Sequence, residues 1–287
     1  MDRLIKALAY DNMVRIYACN TTDLVEYARK INDCYPTSIA ALGRTMTATL
    51  LAASLYEKKQ NISVVIDGKG QAGKVFANAN AMGYVNGYIE NPHVYLKKTN
   101  GHLDVAKAVG KDGFIYITKD LKMKKLFTSQ SKIISGEIAE DFTYYYATSE
   151  QIPTSVGLAV LVKEKVISAG GFILQLLPNT TESVISKIEH LINTMEPLYL
   201  QLSKGKSIED IIAYLSDQDY KIIDTMKCEF FCSCSKEHYY EALSTLSKDE
   251  LKPLLEDQTT RITCSICKKT YEYSKKDIQA LIDQKEK

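Results

Sequence analysis

Two short stretches near the end of the chain, FFCSCSKEHYY (residues 230–240) and RITCSICKKTYEY (residues 261–273), decide how this region folds. They carry a C-x-C pair and a C-x-x-C pair of cysteines, separated by 29 residues. Zinc takes four soft ligands in a tetrahedron, and two close pairs of thiolates supply two corners each. The pattern therefore predicts one Zn²⁺ per chain, with four ligands: Cys232, Cys234, Cys264 and Cys267.

The residues around these pairs predict a small α+β domain over residues 228–287. Threonine- and tyrosine-rich runs at 259–263 and 270–273 flank the second pair, which is typical of a β-hairpin with two sulfurs at its tip. The spacer has room for two short helices, and Ser274 with Asp277 predicts the cap of a terminal helix. Because so small a module has few large apolar side chains, it needs a cross-link, which a four-thiolate zinc site can supply.

Residues 179–227, which precede this domain, form a predicted amphipathic helical connector. Apolar residues recur at helical spacing between 184 and 195 and again between 208 and 215, where Ser207 with Asp210 predicts a helix cap. One interpretation is that both helices simply pack on the core. The other is that they cover a surface that can be uncovered.

Residues 1–178 form a predicted core domain in which a sheet and helices mix. Glycine-rich turns separate short runs that favour strands, and longer runs with helical spacing lie between them. We expect strands at 61–67, 74–81, 84–89, 114–118, 156–162 and 166–168, and helices at 23–32, 38–58 and 137–150. The fold class is therefore α+β, with a core domain, a helical connector and a C-terminal zinc domain.

Four thiolates are compatible with a structural zinc, a nucleic-acid-binding zinc ribbon or a redox switch. Residues 228–287 contain 10 Lys+Arg and 11 Asp+Glu, so no basic surface favours nucleic acid. A disulfide across C-x-C closes a small, strained ring that is easily reduced again, which favours the redox alternative. We interpret Cys228 as a spare thiol and His238 as a surface helix residue.

The overall composition excludes several other classes of function. The 287 residues carry 36 Lys+Arg and 35 Asp+Glu, a net charge of +1, which gives no overall attraction to nucleic acid or anionic lipid. We find no signal-peptide core and no membrane-spanning run, and expect a soluble, cytoplasmic protein without membrane partners. The G-x-G-x-x-G match at Gly68–Gly73 leads into a strand instead of a helix, so we interpret it as a hairpin turn and predict no enzyme activity.

Besides the cysteine pairs, the chain carries six distinctive motifs: TTDLVEYAR (21–29), ALGRT (41–45), GYIENP (87–92), SGEIAED (135–141), SEQIP (149–153) and AGGFILQLLP (169–178). With these motifs in this order and with this cysteine spacing, the whole chain resembles the heat-shock protein 33 family of redox-regulated chaperones. The chain departs from the family pattern at Cys228, which is not required, and at Asn86, where arginine is more usual.

The resemblance implies an ATP-independent holdase that is inactive while the four cysteines hold zinc. It further implies that oxidants form the disulfides Cys232–Cys234 and Cys264–Cys267, release the metal and loosen the connector, which then exposes apolar surface to unfolding client proteins. A homodimer in the oxidised state is also implied by the family. The alternative that the residues leave open is a zinc-ribbon nucleic-acid adaptor with a structural metal.

Overall fold

Two β-sheets enclose a long buried helix in the first part of the chain, as seen in a computed structural model that describes residues 1–285. The chain divides into two compact units, Met1–Phe231 and Cys232–Lys287. The last two residues of the predicted zinc domain lie outside the described residues. The three-part division at 178 and 227 stays a prediction. The first unit contains the whole predicted connector (residues 179–227) and also residues 228–231.

The first sheet has five strands in the order β10-β1-β2-β9-β8, all paired antiparallel. Its strands are β1 (Arg3–Ala9), β2 (Val14–Asn20), β8 (Thr154–Val162), β9 (Val166–Leu176) and β10 (Tyr220–Lys227). The strands β1, β2 and β10 were not predicted from sequence. Both faces of β1 and β2 are largely buried, so these strands lack the alternation of apolar and polar residues that marks a half-exposed strand.

The second sheet has six strands in the order β11-β5-β4-β3-β6-β7. Its strands are β3 (Asn61–Asp67), β4 (Val75–Asn80), β5 (Tyr84–Ile89), β6 (Phe114–Asp120), β7 (Phe127–Lys132) and the short β11 (Glu229–Phe230). The predicted strand at 61–67 and the one at 84–89 are confirmed with their bounds. In β3 and β5 buried and half-buried residues alternate strictly, which is why the sequence pattern located them.

The helices of the first unit either fill the space between the sheets or cover them. They are α1 (Thr22–Ile31), α2 (Pro36–Ala53), α3 (Val105–Val109), α4 (Ala139–Tyr145), α5 (Glu182–Thr194), α6 (Leu198–Ser203) and α7 (Ile208–Leu215), with a π-helical turn at Tyr146–Glu150. The central helix α2 contacts strands of both sheets. The hydroxyl groups of Thr45 and Thr49 donate to the carbonyls of Ala41 and Thr45 at 2.9 and 2.7 Å, so these threonines are buried without an unpaired polar group.

A distant carboxylate caps the start of α1. Asp2 accepts hydrogen bonds from the amides of Asp23 and Leu24 at 3.1 and 2.7 Å. Such a tertiary cap leaves no local sequence signal. Asp2 is only 4% exposed, and burial raises the pKa of its carboxyl group to about 6 in spite of these hydrogen bonds.

The glycine-rich loop at Gly68–Gly73 connects β3 to β4, which confirms the hairpin interpretation. Gly73 has a φ of +65°, as a tight turn requires. Gly70 serves a different purpose, because its amide donates to the carbonyl of Val109 at 2.9 Å and a Cβ there would lie 2.3 Å from the carbonyl oxygen of Ala108. The backbone of residues 108–109 therefore occupies the space in which a bound phosphate would have to lie.

The C-terminal unit contains a hairpin and several helices around its own small core. Its elements are α8 (Lys236–Ser244), α9 (Lys248–Leu251), a 3₁₀ turn (Lys252–Leu255), β12 (Thr259–Thr263), β13 (Thr270–Ser274) and α10 (Lys275–Gln284). The predicted hairpin and the Ser274–Asp277 cap of the terminal helix are confirmed. The core consists of few large side chains: Leu243, Leu251, Tyr273, Ile278, Leu281 and Ile282.

Candidate metal centre and the surface beneath the connector

The four predicted ligands lie together in the C-terminal unit. Cys232 and Cys234 lie in the extended segment before α8, and Cys264 and Cys267 lie in the turn between β12 and β13. Their sulfur atoms are all within 4.8 Å of one another, and the Sγ–Sγ distances are 3.8 Å for Cys232 with Cys264 and 3.2 Å for Cys234 with Cys267. All four thiols are free.

This spacing fits a tetrahedral zinc ion. With Zn–S bonds of about 2.3 Å, the edges of the sulfur tetrahedron are about 3.8 Å long. Among residues 1–285, these four cysteines are the group of metal-ligating side chains close enough to hold an ion. His238 is exposed in the first turn of α8 and is not part of the group, as expected. When bound, zinc would keep four sulfurs as thiolates and cross-link two distant segments of the unit.

Backbone hydrogen bonds hold the second pair of cysteines in place. The Cys264 amide donates to the carbonyl of Lys269, and the Lys268 amide donates to the carbonyl of Cys264, both at 2.9 Å. Lys268 has a φ of +60°, which lets the chain reverse direction within this short turn. The hairpin therefore presents both sulfurs from one compact loop.

Two tyrosines of β13 anchor the segment that carries the first pair. The Tyr271 hydroxyl donates to the carbonyl of Cys234 at 2.9 Å and lies 3.3 Å from the Cys234 sulfur. The Tyr273 hydroxyl donates to the carbonyl of Lys236 at 2.7 Å, and its ring is completely buried. Neither tyrosine was identified from the sequence as part of the site, although both stand at alternate positions of the predicted hairpin strand. Partners of this kind orient the ligands of metal sites.

The environment of the four thiols is electrostatically uneven. Burial opposes ionisation of Cys264, but hydrogen bonds from Tyr239 and from the amides of Cys267 and Ile266 lower the pKa of its thiol to about 6. Burial raises the pKa of Cys232, and the neighbouring charge at Cys264 adds to that effect. One thiolate therefore forms readily. Further thiolates this close together repel one another unless a cation binds between them.

The remaining three cysteines are not members of this cluster. Cys19, Cys34 and Cys228 are buried in the first unit. Burial raises the pKa of the Cys228 thiol, so this residue is kept protonated and unreactive. The interpretation of Cys228 as a spare thiol is consistent with its place in the core of the first unit.

The connector helices cover one face of the five-stranded sheet. From the connector, Ile188, Ile208, Ile211, Ile212 and Leu215 are buried, at most 4% exposed. They pack in one cluster with sheet residues Ile5, Ala7, Ala9, Val14, Ile16, Ala18, Phe172 and Leu174. We call these eight sheet residues the covered face. The structure adds β10 to the predicted helical connector, and this edge strand pairs with β1.

Comparisons with known proteins agree with this architecture. The family model described as "Hsp33 protein" matches residues 2–274. The chain is 42% identical over 288 residues to the 33 kDa chaperonin of Bacillus licheniformis, covering 99% of this chain and 100% of the relative. It is 41% identical over 290 residues to the 33 kDa chaperonin of Listeria innocua, with 99% of each chain covered.

A solved structure shows the same fold. The crystal structure of the 33 kDa chaperonin from Thermotoga maritima matches with a TM-score of 0.92 and 28% identity, covering 99% of this chain and 98% of that one. Within residues 1–285, no helix combines the length and the apolar character that crossing a bilayer requires. From the family match over nearly the whole chain, we conclude that this protein belongs to the Hsp33 family and is an Hsp33-type chaperone.

Proposed function

We propose that this chaperone is an ATP-independent holdase whose activity is switched on by oxidation of the four clustered thiols. The observation that carries the proposal is the cluster itself, with four free sulfurs within 4.8 Å in a unit whose own core is small. The fit to a tetrahedral four-thiolate site favours Zn²⁺, one per chain, as the metal of the inactive state.

The switching step is the formation of two disulfides. Each disulfide forms as two thiolates lose two electrons, and one molecule of peroxide accepts these electrons together with two protons from the solvent and becomes two molecules of water. The distances within the cluster do not select a pairing, because the four sulfurs lie within reach of one another. We assign Cys232–Cys234 and Cys264–Cys267 from the resemblance to the family. Either way, oxidation removes all four thiolate ligands.

Loss of these ligands would unfold the C-terminal unit. Its core consists of six buried apolar side chains, which is little for a unit of this length without a metal. The short segment between the end of β10 at Lys227 and Cys232 is held to the first unit by β11, which pairs with β5, so unfolding of the C-terminal unit acts on the connector through this segment. As the family resemblance implies, the connector then loosens and exposes the covered face, together with its own apolar residues, to unfolding client proteins.

The other parts of the proposal concern partners and location. We propose a homodimer in the oxidised state on the basis of the family resemblance. The even charge of residues 228–287 speaks against a nucleic-acid adaptor. A switch that oxidation turns on needs a compartment that keeps its thiols reduced at rest, so we propose the cytoplasm as the place of action.

Light scattering of a thermally unfolding client protein tests the proposal. The full chain loaded with zinc under reducing conditions should allow aggregation, and the same chain after peroxide treatment at raised temperature should suppress it. Cys228→Ser is a matched control, since it removes a cysteine outside the cluster, and it should retain the switch. If the oxidised protein fails to suppress aggregation, or if the reduced protein suppresses it equally, the proposal is wrong.

A further inference from the structure

The hairpin between β6 and β7 ends in an exposed tip that the chaperone mechanism does not use. We call residues 121–127 (LKMKKLF) the hairpin tip. Its large apolar side chains protrude into solvent: Met123 is 64% exposed, Leu126 63% and Phe127 48%. Three such residues within five positions, at the end of a hairpin, are more than the isolated apolar residue that is normal on a protein surface.

Lysines surround these apolar side chains. Lys122, Lys124 and Lys125 are exposed within the tip, and Lys58 and Lys59 are exposed in the adjacent loop. That loop lies at the base of the tip, where Asn61 pairs with Asp120 and the Gln60 side chain donates to the carbonyl of Leu121 at 3.5 Å. The segments 57–61 and 120–127 together hold five lysines against two carboxylates, Glu57 and Asp120.

Most of this positive charge is not neutralised within the protein. Lys122 pairs with Asp120 at 2.6 Å, which also fixes the turn. Within the described part of the chain, the ammonium groups of Lys124 and Lys125 have no ion-pair partner. The net charge of +1 for the whole chain therefore conceals a local basic surface, and the expectation of no attraction to anionic lipid does not hold for this surface.

We propose that the hairpin tip docks the protein onto anionic phospholipid surfaces. Apolar side chains at a protruding turn can enter the boundary between headgroups and acyl chains, while flanking lysines remain among the phosphates. Met123 and Leu126 distinguish this partner from RNA or DNA, since single-stranded nucleic acid is bound by stacking aromatic side chains and duplexes by polar contacts. The proposal is independent of the redox switch, because the tip belongs to the first unit and is exposed while all thiols are reduced.

Sedimentation with lipid vesicles tests this proposal with the full chain in its reduced, zinc-loaded form. We expect the protein to sediment with vesicles of phosphatidylglycerol and phosphatidylcholine, and much less with phosphatidylcholine alone. Added salt should weaken the binding, since surface charges are screened. At about 1 kcal/mol per lysine near an anionic surface, removing each tip lysine should weaken binding about fivefold.

Two variants separate the two contributions. Lys124→Glu with Lys125→Glu removes charge, and Met123→Ser with Leu126→Ser removes the inserting side chains; both should lose vesicle binding. The matched controls are Lys165→Glu and Met82→Ser, which change an exposed lysine and an exposed methionine in other turns and should bind as the parent does. Because all changed positions are exposed, circular dichroism and zinc content should be unchanged in every variant.

Three results would overturn the proposal. One is that the parent protein does not sediment with phosphatidylglycerol vesicles. Another is that the tip variants bind as tightly as their controls. The third is that the protein binds a single-stranded RNA oligonucleotide but no vesicles. If Lys124→Glu with Lys125→Glu abolishes RNA binding while Met123→Ser with Leu126→Ser leaves it unchanged, the hairpin tip is a nucleic-acid surface instead.

Discussion

Replacement of Ile212 by alanine should activate the reduced chaperone partially, without any oxidant. Ile212 lies in α7, is completely buried and packs in the cluster that includes the covered face. Truncation of a buried isoleucine to alanine costs about 2–5 kcal/mol. Alanine is a better helix former than isoleucine, so the substitution weakens the docking of α7 and leaves the helix itself intact.

The expected size of the effect follows from this cost. At about 3 kcal/mol, the equilibrium fraction of chains with α7 undocked rises about 150-fold. Hydrogen exchange of the α7 amides should accelerate by the same factor if exchange proceeds through undocking. Reduced Ile212→Ala should then suppress aggregation of a thermally unfolding client more strongly than the reduced parent protein.

Two further variants make the test specific. Ile212→Val removes one methylene group, costs about 0.5–1.5 kcal/mol and should give a smaller increase in both exchange and activity. Ile223→Ala changes an isoleucine of the connector strand β10 that is 48% exposed, and should resemble the parent protein. If exchange in α7 accelerates in Ile212→Ala while the reduced protein still allows full aggregation, uncovering this surface is not the source of activity.

Tyr271→Phe removes the hydroxyl that donates to the Cys234 carbonyl and should weaken zinc binding about tenfold. Tyr273→Phe removes a hydroxyl that does not contact a cysteine and should weaken zinc binding much less. Competition with a chromogenic chelator measures both affinities. Equal effects of the two variants would contradict the role given to Tyr271. Removal of zinc by a strong chelator under reducing conditions should make the C-terminal unit sensitive to protease while the first unit remains resistant. Mass spectrometry of the fragments identifies the unit that is cleaved. A C-terminal unit that stays resistant without metal would show that its own core is enough to keep it folded. Burial raises the pKa of Asp2 from 3.8 to about 6. Between these pH values the folded chain therefore keeps a proton on Asp2 that the unfolded chain has released. The free energy of unfolding of the parent protein, relative to that of Asp2→Asn, should fall as the pH rises from about 4 to about 7. Urea unfolding at several pH values checks this, and a pH-independent difference would contradict it.

The parts of the fold that follow local rules could be predicted from the sequence. The strand at 61–67 alternates between buried and half-buried residues, and the capping pair Ser207–Asp210 marks the start of α7, so both were located correctly. The hairpin of the C-terminal unit was located from the threonine- and tyrosine-rich runs that form its two strands. In each case the sequence pattern and the final packing agree.

The parts that depend on distant contacts could not be predicted in this way. The strands β1 and β2 are buried on both faces because α2 lies on one side and the connector helices on the other, so their sequences show no alternation. The cap of α1 comes from Asp2, twenty residues before the helix begins at Thr22. The basic, apolar hairpin tip was missed because a count of charges over the whole chain averages over its surface.

For the candidate site, cysteine spacing named the cluster, and the structure supplied what spacing cannot give. Paired thiols at C-x-C and C-x-x-C spacing are rare enough to indicate a shared metal. The contribution of Tyr271 depends on how β13 faces the first cysteine pair, which becomes visible only once the chain is folded. The covered face is likewise a property of packing, since the connector pattern alone was compatible with ordinary core helices.

If oxidation of the clustered thiols controls chaperone activity, thiol loss and activity should change together during a titration with oxidant. Samples of the full chain are taken during stepwise oxidation, and free thiols and the suppression of client aggregation are measured in the same sample. We expect suppression to rise as four thiols per chain disappear, with Cys19, Cys34 and Cys228 still reduced when activity is complete. Full suppression with all four thiols of the cluster intact, or none after all four have been oxidised, would contradict it.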